Sequence, residues 1–368
     1  MSMKGLVYEG CGKKAWKSVP MPTIQSSTDA IVKLTATSIC GTDLHILKGE
    51  ILRVTPGRIL GHEGVGLIQS VGDAVSNFRS GDRVLISCIT SCGKCLYCSR
   101  NLQGHCLNGG WQLGNEIDGT QAQYVRIPYA DTSLYAAPKA LKDDQLLLLS
   151  DDLPTGFEIG VRSAKIAPGE TVAVVGAGPV GLAVLITAQF YSPASIIMID
   201  RDDSRLAVAE DLGATMTINP TKLTMNSVLD EIMKAINADS EGSDTVSTNQ
   251  APKPGVDVAI ECVGAPQTFD TCQKIIAPGG RIANIGVHGK SVDLQLQDLW
   301  SKNITITTGL VSANTTSMLL KLLQSGKMKP DQLIPHRLKL SQIERAYDTF
   351  GNPSKEHAIK MYIETDNL

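Results

Sequence analysis

Four cysteines lie close together in one short segment of the chain. The segment "CGKCLYCSRNLQGHC" places Cys92, Cys95, Cys98 and Cys106 in the pattern C-x2-C-x2-C-x7-C. A structural zinc ion takes four thiolate or imidazole ligands in a tetrahedron and leaves no coordination position open. A redox pair at Cys92 and Cys95, or a reduced loop without a ligand, would leave several of these thiols unexplained. The spacing therefore predicts a structural zinc site.

A second group of metal-ligating residues could do chemistry, because a saturated ion cannot hold a substrate oxygen. The segments "SICGTDLH" and "GHEGVG" supply Cys40, Thr42, Asp43, His45, His62 and Glu63. Cys40 and His62 form a plausible thiolate–imidazole pair, and Asp151 or Asp152 in "LSDDLPTG" offers a third ligand. Three protein ligands with one exchangeable position define a catalytic zinc site. On spacing alone, a histidine beside a glycine turn is more often a hydrogen-bonded loop residue.

A glycine motif indicates a dinucleotide site. Gly176, Gly178 and Gly181 form G-x-G-x-x-G in "GAGPVG", directly after the apolar run "TVAVVG". The segment "PVGLAVLITAQFY" predicts a helix over 179–191, and Pro179 suits its first turn. Such glycines permit a tight turn and close approach of the backbone to a pyrophosphate, which the helix N-terminus also attracts. The alternative is a glycine-rich turn without a ligand.

The charge at the end of the next strand bears on the choice of cofactor. Asp200 follows "SIIMI", 19 residues after Gly181. A carboxylate there accepts hydrogen bonds from the adenosine ribose and repels a 2′-phosphate, which favours NAD over NADP. Arg201 and Arg205 keep NADP open, since either could pair with a phosphate, and Arg205 could instead flank the adenine.

The elements that must position these residues change in type near residue 154. Before that point, "AIVKLTATSI", "EGVGLIQSVG" and "GDRVLIS" predict strands of a β-rich module with long loops. After it, apolar strands alternate with helices, which predicts an α/β fold with a parallel doubly wound sheet. The polar segment 237–255 is expected to be a mobile surface loop.

Bulk composition excludes several classes of protein. The 368 residues carry a formal net charge of −3, with 19% charged and 42% hydrophobic residues. No basic run suggests a nucleic-acid partner, and no apolar window suggests a membrane span. The N-terminus has no signal-like pattern, so a cytoplasmic location is expected. A reducing compartment disfavours disulfides among the nine cysteines.

These motifs together resemble the zinc-dependent medium-chain dehydrogenase/reductase family, which includes alcohol and polyol dehydrogenases. The resemblance extends over essentially the whole chain and also includes "ECVG" and "ANIGVHG". It implies a GroES-like β-rich catalytic domain formed by residues 1–153 and 306–368, with a structural zinc lobe at 88–110. It also implies a Rossmann NAD-binding domain over 154–305, two zinc ions per subunit, and a homo-oligomer, either a tetramer or a dimer.

The resemblance assigns roles to individual residues. It implies that Cys40, His62 and Asp151 ligate the catalytic zinc, because Asp151 stands five residues before Gly156 in a pattern like D-x-x-x-T-G. The other implied active-site roles concern Thr42 beside the substrate alcohol, His45 at the outer end of a proton relay, Glu63 near the metal, and Asp43, which orients ligands. The cofactor-binding residues expected are Gly176, Gly178, Pro179, Val180, Gly181, Asp200, Arg201, Arg205, Val263, Gly286 and Val287.

The implied reaction is reversible hydride transfer between a primary or secondary alcohol and NAD, with aldehyde or ketone reduction in the other direction. Trp111, with Ile89 as a second residue, is expected to line the substrate pocket as in the secondary alcohol dehydrogenase branch, although Trp111 could simply pack the lobe. The chain departs from the NADP-dependent microbial members of that branch, which lack both the cysteine lobe and an acid at position 200. A polyol dehydrogenase and a formaldehyde-dehydrogenase-like enzyme remain alternatives, and a non-catalytic zinc- and NAD-binding protein is the alternative from another class.

Overall fold

The computed structural model describes residues 1–237 and 254–366. Within these ranges the chain forms the strands β1 (Ser2–Gly10), β2 (Lys13–Pro20), β3 (Ala30–Thr37), β4 (Gly64–Val71), β5 (Arg83–Ile86), β6 (Tyr124–Ile127), β7 (Leu134–Ala136), β8 (Thr171–Val175), β9 (Ser195–Ile199), β10 (Met216–Ile218), β11 (Val256–Glu261), β12 (Ile276–Asn284), β13 (Thr305–Thr308), β14 (His336–Lys339) and β15 (Met361–Glu364).

The helices are shorter in the first part of the chain than in the second. They are α1 (Gly41–Leu47), α2 (Ala130–Ser133), α3 (Asp143–Leu147), α4 (Asp152–Thr155), α5 (Pro179–Ala188), α6 (Asp203–Asp211), α7 (Met225–Asn237), α8 (Pro266–Ile275), α9 (Leu296–Leu299), α10 (Thr316–Gln324), α11 (Ile343–Phe350) and α12 (Pro353–Glu356). A π-helix spans Gly156–Arg162. Among the described residues, no helix has both the length and the apolar character that crossing a bilayer requires.

The chain divides into two compact units. Unit 1 comprises Met1–Pro154 and Leu310–Leu368, and unit 2 comprises Thr155–Gly309. The boundary expected from sequence at 305/306 would cut through β13. This strand stays with unit 2 because it pairs in parallel with β12, from Arg281↔Thr305 to Asn284↔Thr308. Apart from its ends, the polar segment 237–255 lies outside the described residues.

Unit 1 is built around a seven-stranded sheet that is mostly antiparallel. Six of its strands follow the order β14-β15-β3-β4-β5-β7, with β6 also paired to β3, and β1 and β2 form a separate two-stranded sheet. Strand β3 alternates little in polarity and is buried along most of its length, as expected for the centre of a sheet. The pairing Thr37↔Gly64 between β3 and β4 brings the residues that follow β3 close to those that precede β4.

Unit 2 contains a six-stranded sheet in the order β10-β9-β8-β11-β12-β13. All five strand pairs are parallel. The central strand β8 is buried at every position, which explains its continuous apolar sequence. In chain order these strands run 3-2-1-4-5-6, the doubly wound arrangement whose direction reverses between β8 and β11. The predicted α/β fold is confirmed.

Candidate active site

The end of β3 and the start of α1 position the first group of chemical residues. Cys40 is the N-cap of α1 in extended conformation, and its backbone N–H donates to Asp43 Oδ2 at 3.0 Å. Asp43 therefore stabilises the start of α1, because the first N–H groups of a helix have no acceptor within the helix. This cap holds the Cys40 side chain at the end of the sheet, next to the residues that precede β4.

Cys40, His62, Glu63 and Asp151 converge into one buried cluster. One ligand atom from each of them lies within 4.8 Å of the corresponding atoms of the other three. Asp151 Oδ2 is 3.5 Å from Cys40 Sγ and 3.3 Å from His62 Nε2. The neighbouring Asp152 instead contacts Lys360 Nζ at 2.7 Å. The two aspartates therefore have different partners: residue spacing left them as alternatives, and the resemblance favoured Asp151, the one that lies in the cluster.

The donor set of this cluster fits a zinc ion. Sulfur, imidazole nitrogen and carboxylate oxygen are all common zinc ligands. Burial, with the Asp151 charge adding to it, raises the pKa of the Cys40 thiol to about 11. Burial opposes a charge on His62, but its contacts with Asp151 and Cys40 outweigh this and raise its pKa. A divalent cation would stabilise the Cys40 thiolate against both burial and the neighbouring carboxylate. Binding of the metal would therefore displace the thiol proton.

Asp43 supports the cluster from behind. It is almost fully buried, its Oδ2 accepts a hydrogen bond from Gln121 Nε2 at 3.0 Å, and Gln121 Oε1 in turn accepts from the Tyr347 hydroxyl at 2.8 Å. The other carboxylate oxygen lies 3.9 Å from His62 Nδ1, and neither atom has a hydrogen-bond partner within the described part of the chain. A carboxylate behind the second nitrogen of a metal-ligating histidine fixes its orientation and tautomer. Sequence reasoning did not find Gln121 or Tyr347, which lie far along the chain and match no motif.

Lys360 is a buried charged residue beside the metal cluster that the sequence analysis did not identify. Its side chain is completely buried, and Nζ lies 2.7 Å from both Glu63 Oε1 and Asp152 Oδ2. Burial raises the pKa of Glu63 to about 8 even though Lys360 acts against this shift. Lys360 directly precedes β15, and the pairing of β15 with β3 brings it to the site. A single lysine before an apolar strand carries no sequence signal for this role.

Thr42 and His45 lie on α1 beside the metal cluster. Thr42 Oγ1 is 3.7 Å from Cys40 Sγ. His45 is three residues further along the helix, so the two side chains share a face. His45 Nδ1 forms a short hydrogen bond with Glu50, and both groups are partly exposed. The helix thus carries one hydroxyl near the metal ligands and one imidazole that reaches solvent.

Trp111 and Ile89 lie in the same part of unit 1. Ile89 is buried with Cys88, Val311 and Ala313, and Trp111 packs against this cluster. The Trp111 ring also lies 6.2 Å from the His62 ring at an interplanar angle of 76°. Trp111 therefore packs the core beside the lobe and also borders the metal cluster, so the two roles considered for it are compatible.

The four clustered cysteines form the second metal-binding group. One sulfur from each lies within 4.8 Å of the others, and Cys95 Sγ is 3.5 Å from Cys98 Sγ and 3.9 Å from Cys106 Sγ. These separations exceed a disulfide bond of about 2.05 Å. The backbone N–H groups of Cys98 and Leu107 lower the pKa of Cys95 to about 6, whereas burial raises the pKa of Cys98 to about 12. Four thiols with backbone donors to their sulfurs fit a closed tetrahedral zinc site.

The glycine turn of unit 2 has the shape that a dinucleotide requires. Gly176 has a φ of +109°, and a Cβ on Gly181 would lie 1.8 Å from Gly176 O. Gly178 is the N-cap of α5, and Pro179 and Val180 form its first turn. Neither Gly176 nor Gly181 therefore tolerates a side chain, and the N–H groups at the start of α5 remain available for an anion. These residues fit the pyrophosphate of NAD or NADP.

The acidic residue at the end of β9 contacts this turn directly. Asp200 Oδ2 accepts a hydrogen bond from Ala177 N at 2.6 Å, and Oδ1 accepts one from Asp202 N at 2.9 Å. Arg205 Nη1 lies 3.6 Å from the position that a Cβ of Gly178 would occupy, whereas the Arg201 side chain is exposed. Of the two arginines, Arg205 is thus the one at the glycine turn.

Val263, Gly286 and Val287 lie near the carboxyl ends of β11 and β12. Buried Glu261 accepts hydrogen bonds from Val263 N and Gly264 N, each at 2.9 Å. A Cβ on Gly286 would lie 2.1 Å from Gly264 N, so the two loops are in close contact. Val263 and Val287 are each nearly half exposed. Sequence reasoning did not identify Glu261 as the residue that organises this edge.

Comparison with known proteins agrees with this architecture. The alcohol dehydrogenase GroES-like domain matches residues 26–139, and the zinc-binding dehydrogenase domain matches residues 179–325. The chain is 34% identical to an alcohol dehydrogenase from Cupriavidus necator, with 98% of each chain covered.

Two solved structures are also similar. Zinc-dependent alcohol dehydrogenase 2 from Streptococcus pneumonia, in its apo form, is 48% identical with a TM-score of 0.90, over 100% of this chain and 99% of that one. Alcohol dehydrogenase TADH from Thermus sp. ATN1 is 31% identical with a TM-score of 0.84, over 99% of this chain and 100% of that one. The chain therefore belongs to the zinc-dependent medium-chain dehydrogenase family of oxidoreductases.

Proposed function

We propose that this protein is an NAD-dependent alcohol dehydrogenase that interconverts a primary or secondary alcohol with its aldehyde or ketone. The observation that carries the proposal is the buried convergence of Cys40, His62 and Asp151, supplemented by Glu63. The four-cysteine lobe forms a separate and closed ligand set. A protein that used zinc only to brace its fold would need no second site with a hydroxyl and an imidazole beside it.

Each zinc site would have a different role. Cys92, Cys95, Cys98 and Cys106 would hold one ion that contributes folding energy. Cys40, His62 and Asp151 would hold the other, which supplies Lewis acidity that lowers the pKa of a substrate hydroxyl. Asp43 would orient His62, and Lys360 would hold the Glu63 carboxylate by the 2.7 Å ion pair.

The proposed path for the proton that leaves the alcohol begins at Thr42 and ends at His45. The Thr42 hydroxyl, 3.7 Å from Cys40 Sγ, would accept a hydrogen bond from the substrate hydroxyl and pass its own proton on. His45, on the same face of α1 and bonded to Glu50, would exchange that proton with solvent. When bound, the nicotinamide ring would supply the redox chemistry as the hydride acceptor, while Thr42 and His45 would carry the proton to solvent.

The proposed cofactor is NAD. Asp200 already accepts two backbone hydrogen bonds. Each carboxylate oxygen can accept more than one hydrogen bond, so capacity remains for a ribose hydroxyl. A 2′-phosphate at that position would meet the same negative charge. Val263 and Val287, at the carboxyl ends of β11 and β12, are the proposed contacts for the nicotinamide end.

A substrate screen with metal analysis tests this proposal. The zinc-loaded protein is incubated with primary and secondary alcohols, polyols and aldehydes, and the absorbance of reduced nicotinamide is followed with NAD and with NADP. We expect turnover with alcohols and NAD, and two zinc equivalents per chain. Absence of turnover with every substrate class, or a single metal equivalent, would contradict the proposal.

The proposal extends to assembly and location. Strand β13 forms an edge of the parallel sheet and is largely exposed, with Ile306 37% exposed. An open edge offers unpaired N–H and C=O groups, so we propose that two copies pair through β13 in a homodimer or within a homotetramer. We propose a cytoplasmic location, because a reducing compartment keeps the cysteines of both metal sites available. Light scattering and cell fractionation test these two points.

A further inference from the structure

Arg53 places a positive charge on Trp111, the aromatic residue that borders the candidate metal cluster. The Trp111 ring lies 6.2 Å from the ring of His62. The guanidinium carbon of Arg53 lies 4.9 Å from the centre of the same indole. These distances together place the guanidinium within about 11 Å of the His62 ring. Trp111 thus connects a candidate metal ligand to an arginine within unit 1.

Trp111 and Arg53 both have hydrogen-bond donors for which the described part of the chain supplies no acceptor. Trp111 Nε1 is buried and has no acceptor there. Arg53 is exposed, and no carboxylate forms an ion pair with it among residues 1–237 and 254–366. A buried donor without a partner costs about 1–3 kcal/mol, so native structures usually supply an acceptor, which can be a ligand.

The backbone on each side of Arg53 is anchored. Val54 is buried in the core of unit 1, and Ile51 packs against the same cluster. Leu52, by contrast, is 91% exposed. The indole also restrains the guanidinium by a cation–π contact. Arg53 is therefore held at this place even though its charged end is open to solvent.

The chemistry of these donors indicates what would bind to them. A guanidinium presents N–H groups in a planar fork that matches a carboxylate. The indole N–H can only donate. Together they offer donors and positive charge without an acceptor of their own. A purely apolar substrate would leave the buried indole N–H without an acceptor.

We propose that Arg53 and the Trp111 indole N–H form a specificity site for a carboxylate on the substrate. The preferred substrates would then be short-chain hydroxy acids and the corresponding aldehyde or keto acids. This inference rests on the proposed alcohol dehydrogenase function and adds a substrate class to it. It adds a charged contact to the pocket that Trp111 and Ile89 are expected to line.

Matched substrates provide the first test. The kcat/KM of the zinc-loaded enzyme with NAD is compared for γ-hydroxybutyrate, n-butanol and the butanediol with two terminal hydroxyls. A charge-assisted hydrogen bond contributes about 1.5–3 kcal/mol, which corresponds to about 10- to 100-fold in kcat/KM. We expect the hydroxy acid to exceed n-butanol by that factor, and the ratio to fall as salt is added. Equal or better turnover of n-butanol or the diol would overturn the inference but leave the proposed function intact.

Variants then test whether Arg53 causes this preference. Arg53→Gln should reduce the ratio of hydroxy acid to n-butanol to about 1, and Arg53→Lys should give an intermediate ratio because it keeps the charge but loses the fork. Trp111→Phe keeps the ring, removes the N–H and should lower the ratio in part. Arg79→Gln is the matched control, because Arg79 is an exposed arginine paired with Asp82 away from this site. An unchanged ratio in Arg53→Gln would refute the assignment.

A binding measurement keeps the inference testable without turnover. Butyrate is titrated calorimetrically into the zinc- and NAD-loaded protein, with butyramide as the neutral analogue. We expect butyrate to bind more tightly than butyramide, and Arg53→Gln, but not Arg79→Gln, to weaken it at least about 10-fold. Equal binding of butyrate by the unchanged protein and Arg53→Gln would overturn the inference. If no alcohol is oxidised at all, the proposed function fails, and this experiment still decides the carboxylate site.

Discussion

Replacement of Lys360 by methionine tests the most buried charged group near the metal cluster. Lys360 is completely buried and lies 2.7 Å from both Glu63 and Asp152, which are themselves about 1% exposed. Methionine is of similar length but carries no charge. Glu63 and Asp152 would remain buried without the ammonium that lies 2.7 Å from each of them. We therefore expect a large loss of folding stability.

The size of the effect follows from the two contacts. At 2.7 Å and an effective dielectric constant of about 20, an ion pair attracts by about 6 kcal/mol. Because the pKa of Glu63 is raised to about 8, this carboxyl group is mostly protonated at neutral pH, and the full attraction applies to the pair of Lys360 and Asp152. The cost of removing water from these two charged groups cancels most of this attraction in the intact protein, at several kcal/mol per ion. Deleting one partner leaves that cost uncompensated, and removing one member of a buried pair typically costs about 3–5 kcal/mol. We expect a loss in this range at neutral pH.

Urea unfolding measures this loss. Two of the three tryptophans, Trp16 and Trp111, belong to unit 1, so fluorescence reports mainly on the unit that contains Lys360. Lys339→Met is the matched control, because Lys339 pairs with Glu364 but both side chains are about half exposed. An exposed pair contributes at most about 1 kcal/mol.

Two outcomes would refute this reasoning. One is a Lys360→Met variant whose free energy of unfolding lies within about 1 kcal/mol of that of Lys339→Met. The other is the absence of any rescue when Glu63→Gln and Asp152→Asn are added to Lys360→Met. Those two changes remove the unpaired charges at nearly constant shape, so they should recover part of the lost stability.

Four further predictions concern the two metal sites, the cofactor and one helix cap. Cys40→Ser or His62→Ala should abolish turnover and remove one zinc equivalent while circular dichroism stays unchanged; retained activity in a metal-analysed variant would contradict the ligand assignment. Cys95→Ser should lower the melting temperature and remove the other zinc equivalent, and a variant that keeps both ions and full stability would refute a closed site. Asp200→Ser should raise the KM for NAD about 10- to 100-fold and lower the preference over NADP; an unchanged ratio of kcat/KM values would count against Asp200. Asp202→Ala should cost about 1 kcal/mol, because the Asp202 side chain caps α6 through Ser204 N at 2.9 Å. Burial opposes ionisation of Asp202, but its hydrogen bonds to Ser204 outweigh this effect and lower its pKa. The stability that the Asp202 cap contributes is therefore present above the ordinary pKa of 3.8 and is lost as the pH falls below that value. A stability difference between the two proteins that persisted in strong acid would show that the charge is not involved.

The sequence predicted the parallel-sheet unit closely. The strands predicted over 171–176 and 195–200 correspond to β8 (Thr171–Val175) and β9 (Ser195–Ile199), each one residue shorter, because strands covered on both faces have few polar residues. The helix expected over 179–191 ends as an α-helix at Ala188 and continues as a single 3-10 turn to Tyr191. Ser192, with a φ of +51°, terminates it. A local φ of this kind in a serine has no clear sequence signal.

The metal ligands were predictable to different degrees. The four cysteines come from one short loop, so their spacing alone indicates a common site. Cys40, His62 and Asp151 come from three separate segments, and only the resemblance to a family connected them. The resemblance favoured Asp151 over Asp152, and the structure adds that Asp152 contacts Lys360, which lies more than two hundred residues away in the chain.

The amino-acid sequence by itself determined which ligand types were present, the glycine turn, and the alternation of strands and helices in unit 2, since these depend on residue type and local spacing. Only the tertiary structure decided which buried charges face one another. It joined Lys360 to Glu63 and Asp152, Tyr347 through Gln121 to Asp43, and Arg53 through Trp111 to His62. The physical reason is that contacts across a sheet or between distant loops follow from strand pairing and packing, whose partners are not encoded by any local periodicity.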